Sequence, residues 1–201
     1  ISTNPLIFTI SNFLNDNECK HLIKISKDQY KKAEIYKDPQ EESDHGRIKD
    51  KELRDNSISW LKHNKTNITM NISNKISKLV NIPIENAEPI QMLKYNTGQK
   101  FDKHFDSYAM DDYRFQNQRL YTVLAYLNDT DGGETRFDNI NKTIKPEKGK
   151  IVVFANCNNK SRVRHNDSMH TALPVKSGVK YAFNLWFHED EYDQSIELAD
   201  Q

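Results

Sequence analysis

No apolar run among the 201 residues approaches the roughly 20 needed to cross a bilayer as a helix. The opening ISTNPLIF carries no secretory signal pattern. An excess of one charge is also missing. The 29 Lys and Arg balance 29 Asp and Glu, which argues against a general binder of nucleic acid or anionic membrane, because those partners call for a basic excess. Cysteine is scarce: Cys19 and Cys157 stand far apart and form no CxxC. They support neither a disulfide framework nor a zinc site. Repeats and linkers are absent, so one domain spanning 1–201, long enough to bury a core, is expected.

Asn-x-Ser/Thr triplets begin at Asn64, Asn67, Asn71, Asn128, Asn141, Asn159 and Asn166. Asn is abundant throughout, so chance accounts for them, and a glycan on Asn166 would crowd the nearby His170. A cytoplasmic setting is therefore expected, or the endoplasmic reticulum if a leader or anchor preceded Ile1.

What is present changes character along the chain. NDNECKHLIKISKDQYKKA reads as a helix, with a capping box from Asn15 to Glu18 and with Cys19, Leu22, Ile23, Ser26 and Tyr30 on one face. ITMNISNKISKLV reads as a second helix, buried through Ile68, Ile72, Ile76, Leu79 and Val80, with Pro83 beyond its end. Between them, Tyr36 to Asp55 is almost wholly polar and reads as a long loop. From Ala87 the runs become short and rich in aromatic and β-branched residues, divided by turn signals. They predict strands near 88–95, 103–106, 120–127, 134–137, 142–144, 151–154, 169–173 and 180–188. Helices first and many short strands after predict an antiparallel barrel or sandwich backed by helices. Helical support is expected over about 1–86 and the β core over about 87–190.

The stretch GQKFDKHFDSY places His104 and Asp106 one residue apart. In an extended strand both would face one side and Phe105 the other. They could grip a divalent metal, or both could face water. A third ligand would complete a 2-His-1-carboxylate set, which leaves open positions on Fe(II) for cosubstrate and dioxygen. His170, at the head of HTALPVKSGVK, is the candidate. Lys180, ten residues on, could hold a carboxylate of a dicarboxylic cosubstrate. In KYAFNLWFH, Tyr181, Phe183, Leu185 and Phe187 share the face expected to pack on the helices. Lys180, Ala182, Asn184, Trp186 and His188 share the other, either a wet surface or a pocket wall. The same choice holds for Leu120, Thr122, Leu124 and Tyr126.

In order and spacing, MLKYNTGQKFDKHFD, RLYTVLAYLND, GGETRF, KPEKGKIVVF and SMHTALPVKSGVKYAFNLWF resemble prolyl 4-hydroxylases of the iron(II)- and 2-oxoglutarate-dependent dioxygenase superfamily. The resemblance runs from about Ser57 to Phe187. It implies a double-stranded β-helix, or jelly roll, mainly β with supporting N-terminal helices. It implies Fe(II) on His104, Asp106 and His170, and the C5 carboxylate of 2-oxoglutarate on Lys180. It further implies Tyr95 in the pocket, Tyr126 and Thr135 as hydrogen-bond partners of the cosubstrate, Arg119 near a peptide substrate, and Trp186 in the pocket. The implied reaction is hydroxylation of peptidyl proline at C4 with dioxygen, releasing succinate and CO₂, with ascorbate as reductant. The polar loop and NCNNKSRVRHNDS could close over a proline-containing peptide. The alternatives are a related oxygenase acting on lysyl groups, a free amino acid or a nucleobase, and a peptide-binding module without catalysis.

Overall fold

The computed structural model describes residues 1–36, 47–48, 52–158 and 161–193. The first part of the chain supplies β1 (Ser2–Thr3), β2 (Leu6–Ile10), helix α1 (Asp16–Ser26), β3 (Lys31–Lys32), β4 (Ile35–Tyr36), β5 (Arg47–Ile48), β6 (Ser57–Leu61) and helix α2 (Asn67–Val80). The second part supplies β7 (Ile90–Asn96), β8 (Phe101–His104), β9 (Arg119–Tyr126), β10 (Asp131–Gly132), β11 (Thr135–Phe137) and β12 (Lys142–Ile144). It ends with β13 (Ile151–Ala155), β14 (His170–Ala172), β15 (Val175–Ser177) and β16 (Val179–His188). Apart from Tyr36, Arg47–Ile48 and the part from Glu52 on, the polar stretch expected to be a loop lies outside the described residues.

A major sheet of eight strands runs β1-β2-β13-β9-β16-β7-β6-β3, and a minor sheet of four runs β12-β11-β14-β8. All their pairings are antiparallel, as the jelly-roll expectation requires. Every strand expected after Ala87 is present, shifted by at most a few residues. The stretch before Ala87, expected as helical support, does supply both helices, but β1, β2, β3 and β6 also enter the major sheet.

Alternation along the strands creates two cores. Met92, Val123, Ala125, Ile151, Val153, Phe183, Leu185 and Phe187 pack on one face of the major sheet with Cys19 and Leu22 of α1 and Ile72 and Ile76 of α2. This is the face assigned to the helices from the KYAFNLWFH pattern. Leu93, Tyr95, Leu124, Tyr126, Val152, Phe154 and Ala182 form a second cluster with Phe137, Ile144 and Val175. The Lys180–Trp186 face is therefore an interior wall, not a wet surface.

Both helices begin on reciprocal caps. Asn15 accepts from the Glu18 amide and Glu18 from the Asn15 amide, and Thr66 and Thr69 do the same for α2. α1 stops at Ser26, so Tyr30 reaches its face from outside the helix, through a 3.1 Å hydroxyl contact with Ser26. Gly149 has φ +79°, and a Cβ there would sit 2.2 Å from the Leu14 carbonyl oxygen. Only glycine lets the turn into β13 close onto the entry to α1. Among the described residues no helix is long and apolar enough to cross a membrane.

Candidate metal and cosubstrate site

β8 and β14 lie side by side, with His104 directly opposite His170. Their rings stand 4.3 Å apart, centroid to centroid. β8 ends at His104, so Asp106 falls in the bend that follows rather than in the strand. The convergence expected from strand alternation is nevertheless reached. Asp106 Oδ1 lies 3.6 Å from His104 Nε2, and Asp106 Oδ2 lies 3.8 Å from His170 Nε2. One donor atom from each of the three lies within 4.8 Å of the others.

The imidazoles are locked from behind. His104 Nδ1 is 2.8 Å from the Asp102 carbonyl oxygen and His170 Nδ1 is 3.0 Å from that of Ser168. A carbonyl only accepts, so each Nδ1 carries the proton and each Nε2 turns a lone pair to the shared point. Phe101 stacks on His104 at 3.6 Å, and Phe137 and Phe154 flank the His170 ring. Burial and the neighbouring His170 push His104 down to about 3, which keeps it a neutral ligand. Burial works against the Asp106 carboxylate, but His170 and His104 more than offset it and hold the carboxyl below its ordinary range. Two neutral nitrogens and one carboxylate, oriented before any ion arrives, fit a divalent iron.

Lys180 stands on β16 beside Tyr95 of β7, with its ammonium 5.0 Å from the Tyr95 ring centre and 5.3 Å from that of Tyr126. It is 2 % exposed. Its Nζ donates to Gly133 O at 2.6 Å. Burial, opposed by Glu134, pushes it down to about 7. A desolvated ammonium with donor capacity to spare fits a carboxylate ligand. Thr135 lies two residues along β11 from Phe137, the residue opposite His170. Its Oγ1 accepts the Tyr126 hydroxyl proton at 2.7 Å, which leaves the Thr135 proton free to be donated.

Residues 90–188 match the family model of the 2OG-Fe(II) oxygenase superfamily. Prolyl 4-hydroxylase 2 of Arabidopsis thaliana is 30% identical over 98% of this chain and 71% of its own length. Prolyl 4-hydroxylase 5 of the same plant is 31% identical over 96% and 71%. The chain belongs to the prolyl 4-hydroxylase family. Among solved structures, the 2OG complex of the viral collagen prolyl hydroxylase from Paramecium Bursaria Chlorella virus-1 superposes with a TM-score of 0.72. It shares 28% identity, covering 90% of this chain and 95% of that one.

The remaining residues expected in this prolyl 4-hydroxylase site fall around the triad. Trp186 is buried, and its indole N–H approaches the Asp106 carboxylate without meeting an acceptor in hydrogen-bond geometry among the described residues. Arg119 stacks over Trp186, 3.9 Å from guanidinium to ring centre, and its Nη1 lies 3.3 Å from the Asp106 carbonyl oxygen. Its Nε and Nη2 are committed to Glu88, Nη2 at 2.8 Å from Oε2. Glu88 also meets His188 Nε2 at 2.8 Å. Burial alone would raise the Glu88 carboxyl, but Arg119 and His188 hold it below its ordinary range.

Sequence reading missed Glu88 as a partner of Arg119, because 31 residues separate them and no spacing rule joins them. It also missed Arg54, which lay inside the polar stretch. Its guanidinium sits 4.5 Å over Phe101, on the ring that stacks on His104. Cation–aromatic stacking of this kind gives no local sequence signal.

Proposed function

We infer that this chain is an Fe(II)- and 2-oxoglutarate-dependent dioxygenase that hydroxylates peptidyl proline at C4 and releases succinate and CO₂. The observation that carries this reading is the pairing of two polar features in one interior. Three preoriented ligands meet at a point, and a buried ammonium stands on the adjoining wall. Membership of the prolyl 4-hydroxylase family supports the choice of proline.

His104, Asp106 and His170 would hold the iron, and Lys180 the C5 carboxylate of the cosubstrate. When bound, iron and 2-oxoglutarate supply the oxidising chemistry: dioxygen is split between succinate and a C–H bond of the substrate, and ascorbate restores iron oxidised in unproductive turnovers. The protein's task is orientation and exclusion of water. The carbonyls of Asp102 and Ser168 keep both Nε2 atoms aimed. Tyr126 spends its proton on Thr135, so Thr135 would have its own to donate to the carboxylate that Lys180 would neutralise. Tyr95 and Tyr126 wall the ammonium from water. Tyr95, Arg119 and Trp186 would line the path of an extended peptide; the ion pair with Glu88 holds Arg119 against Trp186, beside Asp106.

A proline-rich peptide is a fitting partner because its polyproline II backbone is already extended and loses little entropy on binding. A peptide panel read by mass spectrometry tests the function. Gain of one oxygen on proline, matched by succinate release, is expected. Succinate release stimulated by free proline and by no proline-containing peptide would overturn the peptide reading.

A further inference from the structure

Beside the triad lies a chain of buried polar groups, of which the proposed reaction uses only the Ser168 carbonyl. Thr122 of β9 donates its hydroxyl proton to Asp106 Oδ2 at 2.7 Å. Thr122 in turn accepts from Asn156 Nδ2 at 2.9 Å. Asn156 follows β13, and its backbone carbonyl accepts the His165 amide at 2.9 Å and lies 3.3 Å from the Ser168 hydroxyl. Ser168 then offers its own carbonyl to His170 Nδ1 at 3.0 Å. Thr122, Asn156 and Ser168 are at most 1 % exposed.

The direction of the protons along this chain is fixed by chemistry. A threonine hydroxyl has one proton. Because the Asn156 amide donates to it, that proton is available only to Asp106. A carboxylate oxygen that already accepts a hydroxyl proton is a poorer metal donor than its twin, so Oδ1 is left as the better one. A carboxylate free to turn could instead offer both oxygens and close a coordination position that cosubstrate or dioxygen needs. The Ser168 hydroxyl gives its proton to the closer His165 carbonyl at 2.7 Å, so the Asn156 backbone anchors this turn chiefly through the His165 amide.

We propose that Thr122 and Asn156 are positioning residues that hold Asp106 as a one-oxygen ligand. The inference rests on the metal site proposed above. Ligand partners of this kind typically contribute about 10–100-fold in metal affinity.

The test is titration of the metal-free protein with Co(II), followed by equilibrium dialysis and visible absorption, on wild type, Thr122→Val, Thr122→Ser and Asn156→Leu, with melting temperatures measured alongside. Thr122→Val keeps the shape and loses the hydroxyl. It is expected to bind Co(II) about 10–100-fold more weakly and to show a changed visible spectrum per bound ion, because a second carboxylate oxygen takes a position the wild type leaves open. Thr122→Ser restores the hydroxyl and should recover both properties. Asn156→Leu should move both in the direction of Thr122→Val, and it carries the test if Thr122→Val does not fold. Wild-type affinity and spectrum in folded Thr122→Val or Asn156→Leu would overturn the inference and leave the metal site standing. Failure of the wild type to bind Co(II) would overturn both.

Discussion

Replacing Lys180 by methionine should stabilise the protein without cosubstrate while removing its hold on 2-oxoglutarate. Lys180 is 2 % exposed, and burial lowers it from its ordinary 10.5 to about 7. That difference corresponds to about 5 kcal/mol against the folded, charged lysine at neutral pH. Methionine has similar length and no charge, so it relieves this cost. It also leaves the Gly133 carbonyl without the 2.6 Å bond from Nζ, a loss of about 1–3 kcal/mol. A net gain of about 2–4 kcal/mol remains, a melting temperature roughly 4–16 °C higher in a protein of this size. The gain should shrink as pH rises. Between about 7 and 10.5 the unfolded chain holds the lysine proton and the folded chain does not. Wild-type stability therefore increases with pH across that window. Thermal melts of both proteins across it, with and without 2-oxoglutarate and a redox-inert divalent metal, make the check. Equal or lower stability of Lys180→Met at neutral pH would refute the desolvation argument, and an undiminished 2-oxoglutarate-induced rise in melting temperature would refute the carboxylate role.

The same titration predicts that 2-oxoglutarate affinity of the wild type, measured calorimetrically, weakens about tenfold per pH unit above about 7, since only the charged lysine pairs with a carboxylate. Gly133→Ala should weaken cosubstrate binding and spare metal binding: Gly133 has φ +71°, and its added Cβ would lie 2.9 Å from Lys180 Cδ. Binding assays with each ligand separate the two effects. Arg119→Ala should lower peptide-dependent turnover more than peptide-independent consumption of 2-oxoglutarate, read from succinate with and without peptide. It should also destabilise the fold, by up to about 3–5 kcal/mol, because Glu88 stays buried with only His188 to pair with.

The β core was legible because its strands carry their own evidence. Val179–His188 alternates a helix-facing apolar row with a polar row, and Gly149 and Gly178 punctuate its neighbours. β2 and β6 were not legible. Leu6–Ile10 finds its partner at Ile151–Phe154, more than 140 residues away. Ser57–Leu61 mixes serine with Ile58 and Trp60, so its burial on β7 appears only once the sheet exists. His104-x-Asp106 alone was ambiguous, and alternation gave the right convergence although the strand stops before Asp106. Position in HTALPVKSGVK made His170 and Lys180 candidates, and the ordered blocks of the family resemblance selected them. The supports of the site were invisible for the same reason as β2. Glu88 to Arg119, Thr122 to Asp106 and Asn156 to Thr122 are contacts between distant segments, and no periodicity encodes them.

The central claim is that this pocket oxidises proline in a peptide through a metal held by His104, Asp106 and His170. Its most direct test is a reaction of the purified protein with Fe(II), ascorbate, 2-oxoglutarate and a set of proline-containing peptides, followed by fragment mass spectrometry and succinate measurement. The account predicts one added oxygen at C4 of proline per succinate formed, and loss of both products in folded His104→Ala, Asp106→Ala and His170→Ala. Oxygen gained only on another residue, or full activity in any of the three variants, would contradict it.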